Sequence, residues 1–226
     1  MTQVLACSTS QGIVLATDSR ATWFDETGER KHFSLKKLLR LGSHTAMISA
    51  GAGIGIEMSL AFQQFLQRDG MEMIDDIAHV ALPFFSDRYG RWLNEREKHP
   101  TLCYPPVDMP SEEDLPLNEV YLILAGYSFR DSIHPYHLHL FSSEGGGPSI
   151  KAFPTSQIIV IPRSILMEMQ LEVQRGKEPS LGPLLSLCIS FLKNRSVGGE
   201  EVGPPFYLAT ITPTGFKEMG EAEVLG

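Results

Sequence analysis

Apolar and polar positions follow two regimes along the chain. Near the start, Val4-Leu5-Ala6-Cys7-Ser8-Thr9 and Ile13-Val14-Leu15-Ala16-Thr17 are short apolar runs separated by Gln11-Gly12. Such runs, bounded by a turn signal, read as the strands of a hairpin over residues 3–17. Lys37-Leu38-Leu39-Arg40-Leu41 and Thr45-Ala46-Met47-Ile48-Ser49 read as a second pair, turning at Gly42-Ser43. Between the pairs, residues 23–34 are charged and read as a loop. From Gly53 the apolar period lengthens. Ile54, Met58, Ala61, Phe62, Phe65 and Leu66 mark one face of a helix ending near Gly70. Asp75-Asp76 opens a second helix, in which Ile77, Val80, Ala81, Phe84, Phe85 and Tyr89 continue to about Trp92.

Residues 96–118 break the pattern. Pro100, Pro105, Pro106, Pro110 and Pro116, with Glu112-Glu113-Asp114 among them, oppose helix and strand alike. This stretch reads as a Pro/acid-rich insertion: a solvated loop, or a gate, cavity lining or partner contact. Beyond it, Val120–Tyr127 is a buried strand and His134–Phe141 its hairpin partner, with Ser143–Gly147 as the next turn. Ile158–Ile161 is a strand, Ile165 to about Arg175 a helix, Pro179 to Lys193 the last long helix, and Pro205–Ile211 the closing strand. Hairpins, two helices, hairpins, two helices and a final strand predict an α+β chain with no internal repeat. The length fits one domain, or at most two.

Composition narrows the function. The formal net charge of −8 argues against a nucleic-acid binder and supplies no polybasic patch for a membrane surface. No apolar run approaches the roughly 18 residues a membrane helix needs, and the N-terminal pattern is not that of a signal peptide. Cys7, Cys103 and Cys188 are scattered, form no metal spacing, and suggest a reducing cytoplasm. Their simplest role is as small buried hydrophobes. His137 and His139 share a strand face with Phe141, but no third ligand has matching spacing, so the pair reads as an exposed strand face. No metal and no cofactor are expected.

The candidate chemistry lies at the start of the chain. With Met1 removed, Thr2 would carry a hydroxyl nucleophile and, in its α-amine, a base. A hydroxyl needs such a base at neutral pH. An α-amine, with an ordinary pKa of about 7.7–8.0, is suited to the task. Asp18 ends the second strand, where a side chain can turn back over the end of the first. Lys36-Lys37 and then Gly51-Ala52-Gly53 follow, so hydroxyl, carboxylate, ammonium and a glycine-rich turn come in order. The first helix would begin at that turn, with its free amides facing a reacting carbonyl.

Gly12-Ile13-Val14-Leu15-Ala16-Thr17-Asp18-Ser19-Arg20-Ala21-Thr22 resembles the signature of proteasome β-type subunits, which are N-terminal-nucleophile hydrolases. The spacings from Thr2 to Asp18 and from Lys37 to Gly51 match that family. Between Asp18 and Lys37 this chain is longer, in Trp23 to Arg30. The resemblance implies a four-layer αββα sandwich and a role for each residue. Thr2 would be nucleophile and base, Lys37 would ease its deprotonation, and Asp18 would keep Lys37 charged and aimed. The Gly51 amide would donate to the oxyanion, a contact worth roughly 3 kcal/mol of barrier. Arg20 and Thr22 would support the site and the substrate backbone. Ala21, Leu35, Ser49 and Gly53 would line a roomy pocket without strong charge. The implied product is a threonine-type endopeptidase, cytoplasmic, acting on polypeptides. Its subunits would form stacked homo-oligomeric rings of about six or seven copies each, with an ATP-driven unfoldase as a possible partner. A start without a propeptide beyond Met1 is similar to the simpler bacterial rings.

The family pattern fails in two places. Where it has Gly-Ser-Gly after the strand, this chain has Pro162-Arg163-Ser164, and Ser164 is the nearest hydroxyl, expected within reach of the Thr2 amine. Where it has an Asp and a Ser before a Gly-Gly pair, this chain has Asn194 and Val197, with Ser196 one residue off. Two alternatives therefore stand beside the peptidase. One is a ring-forming scaffold with a weak or vestigial site; the other is an N-terminal-threonine enzyme that transfers its acyl group to an amine.

Overall fold

The computed structural model describes residues 2–24, 29–98, 119–154, 156–177, 180–199 and 201–225. The chain is α+β, and all its sheets are antiparallel. Strands β1 (Val4–Ser8) and β2 (Ile13–Thr17) form the first hairpin, and β3 (Arg20–Phe24) and β4 (Arg30–Ser34) a second. β5 (Leu38–Arg40) and β6 (Thr45–Gly51) precede helices α1 (Ile54–Asp69) and α2 (Ile74–Lys98). Then come β7 (Val120–Tyr127), β8 (Tyr136–Ser142), β9 (Lys151–Phe153) and β10 (Ile158–Ile161). Helices α3 (Ile165–Lys177) and α4 (Leu181–Gly198) follow, then β11 (Tyr207–Thr212), β12 (Gly215–Met219) and the short α5 (Glu221–Leu225). One sheet has the order β10-β1-β2-β11-β12, another β5-β6-β7-β8-β9, and β3-β4 is a separate ribbon.

The continuous apolar runs of β1 and β2 reflect burial on both faces. Successive side chains of a strand point to opposite faces, so one run serves two cores. Val4, Ala6, Ile13 and Leu15 join Leu38, Ala46, Ile48, Ile123 and Leu138 of the other sheet. Leu5, Cys7, Val14 and Ala16 instead pack with Met167 and Leu171 of α3 and with Leu184, Cys188, Ile189 and Leu192 of α4. The second sheet repeats the division, packing Met47, Leu122, Leu124 and Phe141 against Met58, Phe62 and Leu66 of α1 and Ile77, Ala81, Phe85 and Tyr89 of α2. Cys7 and Cys188 are buried and free, as expected of small hydrophobes, and burial pushes the Cys7 thiol up to about 12. No helix among the described residues is long and apolar enough to cross a membrane.

Several boundaries differ from expectation. The segment read as a loop over residues 23–34 contains most of the β3-β4 ribbon. Its polar residues suit a ribbon rather than a core strand: His32, Phe33 and Ser34 are exposed, and Thr22 meets His32 across the strands, Oγ1 to Nδ1, at 3.1 Å. Helix α2 runs to Lys98, past the expected end at Trp92 and into the start of the insertion read over 96–118. Residues 99–118 of that insertion, with Cys103, lie outside the described residues. α4 also extends beyond Lys193, while β9, β12 and α5 were not anticipated. The face of His137 and His139 is half-buried rather than exposed. The two rings stack 5.9 Å apart, and burial, with the neighbouring His137, holds the His139 pKa below its ordinary value. No group of three or more His, Cys, Asp or Glu among the described residues is placed to hold a metal ion.

Phe62 is fully buried, with ring centroids 5.0 Å from Phe84 and 4.7 Å from Phe85, and so joins α1 to α2. Phe62→Ala should lower the unfolding free energy by about 3–5 kcal/mol, measured by urea denaturation. A loss under about 1 kcal/mol would show that this cluster does not hold the helices.

Candidate active site

The site begins with the register of the first hairpin. Val4 pairs with Thr17, and the next pair along is Gln3 and Asp18. There the Asp18 amide donates to the Gln3 carbonyl at 3.3 Å, and the Gln3 amide donates to Asp18 Oδ1 at 2.9 Å. The side-chain amide of Gln3 reaches the other way and donates to the Ile161 carbonyl of β10 at 3.1 Å. Thr2 is thus anchored between two strands, beside the Asp18 carboxylate. The Arg20 amide also donates to that carboxylate, at Oδ2, 2.9 Å away.

Lys37 arrives from the other sheet. It precedes β5, and its carbonyl accepts from the Ser49 amide of β6 at 3.2 Å. Its side chain is 2 % exposed and Asp18 is fully buried. The Lys37 ammonium donates to Thr2 Oγ1 at 2.9 Å, to both Asp18 oxygens at 3.2 Å, and to the Arg20 carbonyl at 2.5 Å. An ammonium has three hydrogens, so these four acceptors use its whole capacity, with one hydrogen shared across the carboxylate. Burial lowers the Lys37 pKa from its ordinary value, and the Asp18 charge opposes that shift. Burial likewise raises Asp18, with the Lys37 charge and the Gln3 and Arg20 amides opposing. Both shifts have one cause: surroundings of low dielectric disfavour the charged form of each group.

Gly51 ends β6 with φ of +85°, a conformation that favours glycine. A Cβ there would stand 2.0 Å from the Glu119 carbonyl oxygen. The Ala52 amide donates to that same oxygen at 2.7 Å, while the Ser49 amide bonds on the β5 side. Backbone groups of an antiparallel strand alternate between its neighbours. The Gly51 amide, two residues after Ser49, is therefore directed to the Lys37 side, past the end of β5.

The other predicted residues take varied places. Arg20 packs its guanidinium on Gly203, where an added Cβ would meet it at 2.5 Å, and the Gly203 carbonyl accepts from the Ser19 amide at 3.2 Å. Ala21 and Thr22 lie half-buried on β3, and the Leu35 amide donates to the Ser19 carbonyl at 2.8 Å. Gly53 has open space where a side chain would stand. Ser49 is buried, and its hydroxyl has no hydrogen-bond partner among the described residues. Two surface hollows, of about 730 and 430 Å³, contain none of the predicted site residues. The Ser164 hydroxyl accepts from the Met167 amide at 3.4 Å, capping α3. No hydrogen bond among the described residues joins it to Thr2. A serine directly before a predicted helix start is itself an N-cap signal. Gln3 and Glu119 were missed. Gln3 stands in the predicted first strand beside Thr2, but nothing local marks Glu119. No family model matches the sequence, and no curated protein matches it.

Asp18→Asn would leave a buried ammonium without its carboxylate, at a cost of about 3–5 kcal/mol near neutral pH. The sign of its pH dependence follows from Lys37. Asp18 opposes the lowering of the Lys37 pKa, so the folded variant releases the Lys37 proton at a lower pH than the folded parent, and between those two points the parent and the unfolded chain still hold it. Stability of the variant relative to the parent should therefore recover as pH rises through that window. Urea denaturation of both proteins across the alkaline range would show it, and a cost that grows with pH would refute the assignment.

Proposed function

We propose that the chain is a threonine-type endopeptidase subunit of the proteasome β type, with Thr2 as nucleophile once Met1 is removed. The observation that carries this reading is the Lys37 ammonium, 2.9 Å from Thr2 Oγ1 and held by Asp18. The Thr2 α-amine takes the hydroxyl proton as Oγ1 bonds to the substrate carbonyl carbon. Lys37 lowers the cost of negative charge on Oγ1, and the Gly51 amide donates to the oxygen that becomes an oxyanion. The amine proton passes to the leaving nitrogen as the C–N bond breaks, leaving an ester on Thr2. Water then attacks that ester, with the α-amine again as base, and releases the acid. The Asp18 carboxylate orients Lys37 and has no proton to transfer in this sequence.

The reading includes a four-layer αββα sandwich as a single domain, a cytoplasmic location, polypeptide substrates and stacked rings of this chain, served by an ATP-driven unfoldase. The division of β1 and β2 between two cores supports the layering. Helix α3 supports assembly: Met167 and Leu171 are buried on one side, while Ile165, Leu166, Met169 and Val173 are exposed on the other. A helix apolar on both sides suits a covered position. The vestigial-scaffold reading draws on Ser164, whose hydroxyl caps α3.

The test is cleavage of fluorogenic peptides by the purified protein, with intact mass establishing loss of Met1. Thr2→Ala should reduce kcat/KM by at least about 10³-fold without loss of fold. Equal cleavage by parent and variant would refute the threonine mechanism, and a correctly processed but inactive parent would favour the scaffold.

A further inference from the structure

Glu119 is a buried carboxylate that no step above employs. It directly precedes β7 and lies across the ladder from Ala52. Its two ends are fixed independently. The carbonyl accepts from the Ala52 amide at 2.7 Å and fills the space that a side chain on Gly51 would need, 2.0 Å from the ideal Cβ. The carboxylate accepts from the Gly145 amide at 2.9 Å, in the turn between β8 and β9, and from the Tyr121 phenol. That turn is itself tied to the start of β7: the Val120 amide donates to Ser143 Oγ at 3.0 Å and the Ser143 amide to the Val120 carbonyl at 3.1 Å.

The consequence falls on Gly51. A glycine at positive φ has wide conformational freedom, and the direction of its amide depends on what confines the peptides around it. Here the Ala52 amide is taken by Glu119, and the position of the Glu119 carbonyl is set by the clamp on its own side chain. We infer that Glu119 is a positioning residue for the oxyanion-binding amide. By holding the 51–52 peptide against β7, its clamped backbone keeps the Gly51 amide directed to the Lys37 side. This inference rests on the threonine-peptidase reading and assigns that site a residue with no contact to substrate or nucleophile. An oxyanion donor has to be aimed before charge develops, so a loosened amide costs transition-state stabilisation and leaves ground-state binding largely intact.

The test compares the processed parent with Thr2→Ala, Glu119→Ala and Glu119→Gln on one fluorogenic peptide, with thermal unfolding of each. Gln keeps an oxygen for the Gly145 amide; Ala does not. Glu119→Ala should lower kcat by about 10- to 100-fold with KM changed less than about twofold, and Glu119→Gln should recover kcat to within about threefold of the parent. If Glu119→Ala fails to fold, Glu119→Met removes the acceptor while retaining bulk, and the same split is expected. Parent-like kcat in the Ala or Met variant, or a loss of activity carried by KM, would overturn the assignment while the parent remains Thr2-dependent. A parent no faster than Thr2→Ala would instead overturn the peptidase reading, and this inference with it.

Discussion

A lysine side chain, nearly free of solvent contact, must find acceptors for its charge inside the protein. Moving an ammonium out of water costs several kcal/mol even after relaxation, and a carboxylate partner brings its own desolvation cost. The fold meets this demand from three directions. The end of the first hairpin supplies the Asp18 carboxylate, the first residue of β3 supplies the Arg20 carbonyl, and the segment leading into β1 supplies the Thr2 hydroxyl. Each acceptor belongs to a different point of the backbone, so the position of Lys37 is fixed only when β1 and β2 are in register with each other and β3 and β5 are packed beside them. A slip of one residue in the first hairpin would turn every side chain of β1 to the opposite core and remove Asp18 from Thr2.

That dependence explains the composition of the early strands. β1 and β2 are interior strands of their sheet, with β10 and β11 beside them, and every residue of both is buried. Interior strands with two apolar faces are poorly suited to slippage, because each register places a different set of volumes against two cores at once. The same stiffness reaches the second sheet through Leu38, which follows Lys37 and is fully buried in the shared core.

Much of this arrangement is legible in the residues alone. Apolar runs of strand length and the change of period at Gly53 locate most elements, and Thr2, Asp18 and Lys37 are drawn together as expected. What escapes is decided by partners distant in the chain. The β3-β4 ribbon is hidden by its charge, since an exposed ribbon needs no apolar alternation and is stabilised by pairs such as Thr22 with His32. The continuation of α2 past Trp92 is hidden by its polar last turns, where the helix has little left to bury. Glu119 escapes for another reason. Its role comes from the β6-β7 register and from a turn at Gly145, neither of which leaves a local signal. Ser164 shows the converse: its local signal as a helix cap is matched by the Met167 amide that its hydroxyl accepts.

The burial of the Lys37–Asp18 pair sets it apart from the surface ion pairs such as Arg130–Asp76, whose side chains are well exposed. Mobile ions weaken the attraction between exposed charges within a Debye length of about 8 Å at physiological ionic strength. They have no room to enter between Lys37 and Asp18. Salt can therefore relax the mutual repulsion of this acidic chain, with its net charge of −8, without loosening the charge arrangement around Thr2. The protein's colloidal behaviour and its internal chemistry respond to two separate electrostatic environments.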